Sequence, residues 1–379
     1  QVALIEAHEV GENASGRNSG FAIDLPHTTG GAHDELAGSL RYIRLSRAAI
    51  AYHEAQVARF HIECDWSRRG KYHAAVSARG TADILKPFAR ELEALGEPLR
   101  WLDRRGLAAE IGTSYYDAAV WTPGCVLMNP AALNRGLAQS LPGNVTLYEH
   151  SPVTRADYSG GIELEAPGGS LAAPRMILAV NGLAGEFGFF TRRLLRFVAY
   201  ASLTRPLTVA ERQALGPDAE WGITPANAFV STTMRLTRDH RFLIRHHILY
   251  APKHDVSDAA LATIRSDHYL VFRKRFPMLE QVTIEHTWAG FVCLSQNHAP
   301  GFGLVAPNVW AAVCQNAVGV TRGTIGGMLA ADMACGQDNP LIADMEALGR
   351  PRKLPPQPFL DWGVRIRNRW DLWRARHEA

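Results

Sequence analysis

The sequence predicts a mixed α/β (α+β) fold of two domains. One carries a parallel, Rossmann-like sheet with an incomplete N-terminal edge, and the other a mainly antiparallel sheet. Three observations predict it. Gln1-Val2-Ala3-Leu4-Ile5-Glu6-Ala7 reads as a short buried strand ending in an acid, followed at once by a turn rich in Gly, Ser and Asn over residues 11–20. In a dinucleotide-binding unit the second strand ends in an Asp or Glu that accepts hydrogen bonds from the adenosine ribose. A first strand, a glycine fingerprint and a first helix belong ahead of it in a βαβ unit of ~30 or more residues, yet the chain opens on Gln1. Residues 195–250 alternate in polarity and are rich in aromatics, the pattern of a half-buried antiparallel sheet able to wall a pocket. Finally, 379 residues exceed one ordinary core, and the two kinds of segment alternate, so both domains are discontinuous.

The elements follow in order. Residues 35–59 place Leu36, Leu40, Ile43, Ala51 and Val57 among polar neighbours, which predicts a long amphipathic helix. Residues 70–77 read as a strand. Residues 81–95 read as a helix with Ile84, Phe88, Leu92 and Leu95 on one stripe. Residues 144–180 hold three short strands broken by Gly160-Gly161 and Gly168-Gly169. Residues 256–276 form a helix stopped before Pro277, and residues 323–335 a last core helix ended by Gly336. In the tail, Trp362, Ile366, Trp370 and Trp373 recur at helical spacing among five arginines.

Composition narrows the function. Hydrophobic residues make up 47% and charged residues 20%, which excludes a disordered chain. A net charge of +3 is too small to argue for nucleic acid, and no apolar run approaches the ~18 residues of a membrane span. Cys64, Cys125, Cys293, Cys314 and Cys335 are odd in number and never spaced C-x-x-C, so neither a metal site nor a disulfide framework is expected. A reducing, cytoplasmic setting follows.

Ala14-Ser15-Gly16-Arg17-Asn18-Ser19-Gly20 suits close approach of backbone N–H groups to an anion, because small residues leave the backbone bare. The segment resembles the A-S-G-R-N-x-G element of the D-amino-acid-oxidase-like flavoproteins, particularly the gamma-glutamylputrescine oxidase branch. The resemblance recurs in family order at Met128-Asn129-Pro130-Ala131-Ala132-Leu133, Pro152-Val153 and Met176-Ile177-Leu178-Ala179-Val180-Asn181-Gly182. It continues in the D-x-R element Asp239-His240-Arg241, at Trp288-Ala289-Gly290, and at Asn316-Ala317-Val318-Gly319-Val320-Thr321. It implies FAD as cofactor, held by Glu6, Ala14, Ser15, Gly16, Arg17, Asn18, Ser19, Gly20, Val153, Asn181, Gly182, Ala317, Val318, Gly319, Val320 and Thr321. It also implies oxidation of a C–N bond in a small amine or amino acid, hydride passing to flavin N5. The imine product then hydrolyses, and electrons leave to O2 or, in a membrane-associated dehydrogenase, to quinone. On this reading the FAD-binding domain spans 1–65, 126–195 and 286–346, the substrate domain 66–125 and 196–285, and the tail 347–379.

Two departures qualify the resemblance. Ala317-Val318-Gly319 stands where the family has Gly-His-Gly, and Arg245-His246-His247 where it has two or three glycines. A flavin-poor binding protein or inactive fragment is the rival that these departures leave open. On a regular strand Arg245 and His247 share one face and His246 the other; with Arg322, beside the final helix and equally open to a surface role, Arg245 and His246 are the candidate catalytic and substrate residues. The alternative is a solvated strand end with a core histidine. The basic aromatic tail either docks on the enzyme with its tryptophans buried, the reading favoured here, or lies on a membrane surface.

Overall fold

A computed structural model describes residues 1–26, 36–217, 220–227 and 231–378. Its centre is an eight-stranded sheet in the order Ile284–Leu294, Leu195–Thr204, Phe242–Tyr250, Thr233–Leu236, Trp221–Pro225, Lys71–Ala75, Ala118–Thr122, Arg100–Asp103. All pairs are antiparallel except Trp221–Pro225 with Lys71–Ala75. That parallel pair joins the two sequence segments expected to share a domain. The strand Ile284–Leu294 also belongs to this sheet, so the expected boundary at 286 falls inside a strand.

Alternation sorts the sheet into two faces. On the far face Tyr72, Trp221, Ile223, Met234, Phe242 and Ile244 pack with Phe272 of the helix Asp258–Arg275 and with Phe276 beyond it. Phe242 lies 5.1 Å from Phe272 and 4.7 Å from Phe276, ring centre to ring centre. Burying each such ring contributes on the order of 2–3 kcal/mol. Ser257 starts that helix by accepting from Ala260 N at 3.2 Å, and it stops before Pro277 as expected.

Smaller sheets carry the rest. Val2–Ile5 runs parallel to Val145–Tyr148, and Met176–Leu178 parallel to Val309–Val313, which pairs antiparallel with Gly301–Ala306. The other edges of Val2–Ile5 and Met176–Leu178 bind no strand among the described residues, and Val2, Leu4 and Ile177 are exposed. Between residues 144 and 180 there are five strands where three were expected, because Ile162–Ala166 and Gly169–Ala173 fold into a hairpin between other short strands. The long helix is Leu36–Phe60, its expected start at Glu35 lying outside the described residues. It packs Leu45 and Ala49 against Ile325 and Leu329 of the helix Gly319–Cys335, which starts one turn earlier than expected.

The tail contradicts the docking expectation. Phe359–Arg374 is a helix, but Trp362, Ile366, Trp370 and Trp373 are exposed. Period alone places a stripe on one face without saying whether protein or solvent lies against it.

Candidate active site

The segment 13–20 is built from its own sequence and then pinned from three sides. Asn13 caps the short helix Ala14–Arg17, its side chain accepting from Ala14 N at 2.9 Å. Asn18 donates to Ser15 O at 2.7 Å and accepts from Gly20 N at 2.9 Å. A Cβ at Gly16 would stand 2.1 Å from Gly11 O, and Gly20 combines φ +74° with a Cβ position 2.1 Å from Met128 O. Both sites therefore require glycine. Asn134 Nδ2 donates to Ser15 O at 3.0 Å, Trp288 Nε1 to Arg17 O at 2.9 Å and Arg235 Nη1 to Gly20 O at 3.3 Å.

Trp288 and Arg235 belong to the near face of the large sheet, and Arg245 lies in the row between them. Trp288 pairs with Ala201, Ala201 with Arg245, and Arg245 with Thr233. Arg235 stands two residues along from Thr233, on the same face. Arg245 Nη2 donates to Thr233 Oγ1 at 2.5 Å, and burial pulls the guanidinium down to about 10, so it remains a cation at neutral pH. A half-buried cation thus looks out between two side chains that grip the segment 17–20.

His246 does not share that face, and His247 breaks the expected alternation. Tyr200 pairs with His246 but Ala199 with Ile248, so His247 is the extra residue of a bulge, at φ +63°. The bulge turns His247 to the helix side as well. It lies 3.3 Å from Asp267 and stacks on His268, with ring centres 6.3 Å apart. Thr232 Oγ1 meets His246 Nδ1 at 3.0 Å, and Ser202 Oγ meets His268 Nδ1 at 2.7 Å. Burial pushes His246 down to about 2 and His268 to about 4, which keeps both neutral. No group of three or more His, Cys, Asp or Glu among the described residues could hold a metal ion.

The expected cofactor residues fall into two groups. Ala14–Arg17 packs against the helix Gly319–Cys335. Asn181 Oδ1 accepts from Cys314 N at 3.1 Å, and Asn316 braces the turn ahead of that helix, donating to His298 O at 3.0 Å and accepting from Ser295 N at 2.9 Å. Gly182 is buried beside Arg196 and Cys293. Val320 packs near Met128, and Thr321 is buried. Glu6 and Val153 form the second group: Ser151 N donates to Glu6 O at 2.9 Å, and Ile5 and Val153 share one apolar cluster. The small residues of the first group leave backbone bare, which is chemically compatible with FAD. Ala317 and Gly319 are exposed, no side chain caps the helix that follows, and a Cβ at Gly319 would meet nothing nearer than 3.9 Å. An uncapped helix start with bare backbone around it favours an anionic group.

Ala317 itself holds φ +65°, a conformation that costs an L-residue roughly 1–2 kcal/mol. Ala317→Gly removes that strain but adds roughly 0.4–1 kcal/mol of unfolded-state entropy. A net gain of about 0.5–1 kcal/mol in urea unfolding is the expected result. A loss would show that the turn is not strained.

Arg322 is buried in the first turn of the same helix, 5.3 Å over the ring of Tyr42, with Nη1 3.2 Å from His298 O. Burial lowers its pKa. Cys293 is buried and shares a hydrogen bond with Cys314, which together with burial raises its thiol far above the usual range and keeps it protonated. Sequence reasoning missed Trp288, Arg235 and Lys71. Lys71 lies buried on the near face with Nζ 3.2 Å from Thr224 Oγ1, its pKa lowered by burial and supported by Asp24. Burial in turn raises the Asp24 carboxyl. The signal for Lys71 was a cation inside the strand Lys71–Ala75, every residue of which is buried.

Residues 1–333 match the family model described as DAO, FAD dependent oxidoreductase. The chain is 23% identical over 353 residues to the probable oxidoreductase OrdL of Haemophilus influenzae, covering 90% of this chain and 79% of that protein. It is 24% identical over 371 residues to gamma-glutamylputrescine oxidoreductase of Escherichia coli, covering 94% and 82%. Among solved structures it resembles glycine oxidase from Geobacillus kaustophilus, with a TM-score of 0.75 and 17% identity over 94% of this chain and 92% of that one. It also resembles L-amino acid deaminase from Proteus myxofaciens, with a TM-score of 0.66 and 13% identity over 90% and 86%.

Proposed function

The chain belongs to the DAO family of FAD-dependent oxidoreductases, and on that premise we propose that it oxidises the C–N bond of a small amino acid or carboxylate-bearing amine. The observation that carries this reading is Arg245, a desolvated cation set between Trp288 and Arg235 on the sheet face that grips the segment 17–20. Glycine oxidase and L-amino acid deaminase, whose folds this chain shares, are named for substrates of that class. Bound FAD supplies the two-electron acceptor for hydride from the carbon beside the nitrogen. Arg245 binds and orients the carboxylate, and Trp288 walls the same face. His246, on the opposite face, holds the sheet to its helix and takes no part. The imine product adds water, so amine, O2 and water give a carbonyl compound, ammonia or the smaller amine, and hydrogen peroxide. Quinone in place of O2 is the second reading, favoured by the exposed basic aromatic tail.

The test is anaerobic mixing of flavin-loaded protein with matched pairs of amines that carry or lack a carboxylate. Rapid bleaching of the visible flavin band by the carboxylate-bearing member alone is expected. Bleaching by neither, or by the neutral amine equally well, would overturn the proposal. Admitting O2 afterwards separates the acceptors, since prompt recovery of colour with peroxide release belongs to an oxidase.

A further inference from the structure

We propose that the helix Phe359–Arg374 is a docking surface for an anionic lipid bilayer. At 100° per residue, Phe359, Trp362, Ile366, Trp370 and Trp373 fall within an arc of about 80°. All are exposed, Trp362 at 60%, Ile366 at 69% and Trp373 at 62%. Arg367 and Arg374 border this stripe on one side, Arg365 and Arg369 on the other. The inward face is mixed: Asp361 and Asp371 are half-buried together with Leu360, Val364 and Asn368, and Tyr250 donates to Asp361 Oδ1 at 2.7 Å.

The helix is also fastened beyond its end. Glu378 is fully buried, accepting from Val76 N at 2.8 Å, Ser77 N at 3.0 Å and Ser77 Oγ at 2.6 Å. Held at both ends by acidic side chains, it keeps its aromatic stripe outward instead of rolling it onto the body.

The charge pattern selects the occupant. Arg367 and Arg374 each lie 5.2 Å from the ring of Trp370, and Arg376 lies 4.8 Å from the ring of Trp373. An aromatic stripe between rows of arginine matches the acyl–headgroup boundary of a negatively charged leaflet, where indole rings and basic side chains both find partners. A second copy packed stripe to stripe would set the arginine rows against each other. No helix among the described residues is long and apolar enough to cross a membrane, and the contact proposed is that of this helix lying along the leaflet surface.

Flotation of the full chain with phosphatidylcholine vesicles, with and without phosphatidylglycerol, tests this. Binding is expected to the anionic vesicles alone and to fall as salt is raised. Arg365→Gln with Arg369→Gln should weaken it by about fivefold per arginine. Trp370→Ala with Trp373→Ala should weaken it by at least about tenfold through lost apolar contact. Both variants should keep the flavin spectrum and far-ultraviolet dichroism of the parent, which separates loss of the surface from loss of fold. No flotation, equal flotation with neutral vesicles, or variants that float as the parent does would each overturn the proposal. So would concentration-dependent self-association abolished by the tryptophan changes.

Discussion

Replacing Arg245 by methionine is expected to lower kcat/KM for a carboxylate-bearing amine by about 30- to 150-fold while leaving a neutral amine within about twofold. The arithmetic is that of a charged hydrogen bond, about 2–3 kcal/mol, lost from both bound states. Most of the change should enter KM, because the carboxylate keeps its charge and its contact with Arg245 before and during reaction. Lysine at this position keeps the charge but loses the planar fork, and should fall between the two. Burial places the Arg245 pKa at about 10. Since the protonated form binds, affinity for the carboxylate should hold through neutral pH and fall as pH rises through that value. Steady-state kinetics on the matched pair decide the matter, and an equal loss on both substrates would assign Arg245 to the framework.

Arg235→Met is expected to cost about 3–5 kcal/mol of stability, the range for breaking a buried ion pair by removing one partner. Arg235 and Glu220 are 4% and 3% exposed, and lie 3.2 Å apart. Arg235 also donates to Met128 O and Gly20 O, so it ties the segment 17–20 to the sheet. Without it, the ion-pair partner that remains to Glu220 among the described residues is Arg69, at 4.0 Å. Replacing both members, Arg235→Met with Glu220→Leu, should recover much of the loss, since no lone charge then remains buried. Urea unfolding measures both. A single variant within 1 kcal/mol of the parent, with the double no better, would contradict the assignment.

The Rossmann-like and antiparallel parts were legible because their signals are local: runs of alternating or apolar residues, glycines at turns, and proline after a helix. Asn13 to Gly20 was legible for the same reason, as Asn18 and Gly20 satisfy one another within the segment. The grip upon it was not. Trp288 reaches Arg17 across 271 positions and Arg235 reaches Gly20 across 215, and no period in a single sequence records such pairings. Alternation placed Arg245 and His246 on opposite faces correctly, then failed at His247, because a bulge leaves no mark that a regular count of two detects. The tail failed differently. Its apolar stripe was evident, but burying it against the body required assuming that apolar faces turn inward, whereas Asp361 and Glu378 make the attachments.

The bulge at His247 also sets which changes of length this strand tolerates. Tyr250, three residues on, pairs with Phe197 and holds Asp361 of the tail, while Arg245 faces the segment 17–20. Deleting His247 would bring His246 and Ile248, already paired with the adjacent Tyr200 and Ala199, into ordinary succession, and both Arg245 and Tyr250 would keep their sides. Deleting an adjacent residue such as Ile248 instead would let His247 take its ladder position, so both ends again keep their sides and only the side chain at that position changes. Arg245 and the tail anchor Tyr250 are thus separated by one spare residue, which decouples the length of this strand from the sides those two side chains face.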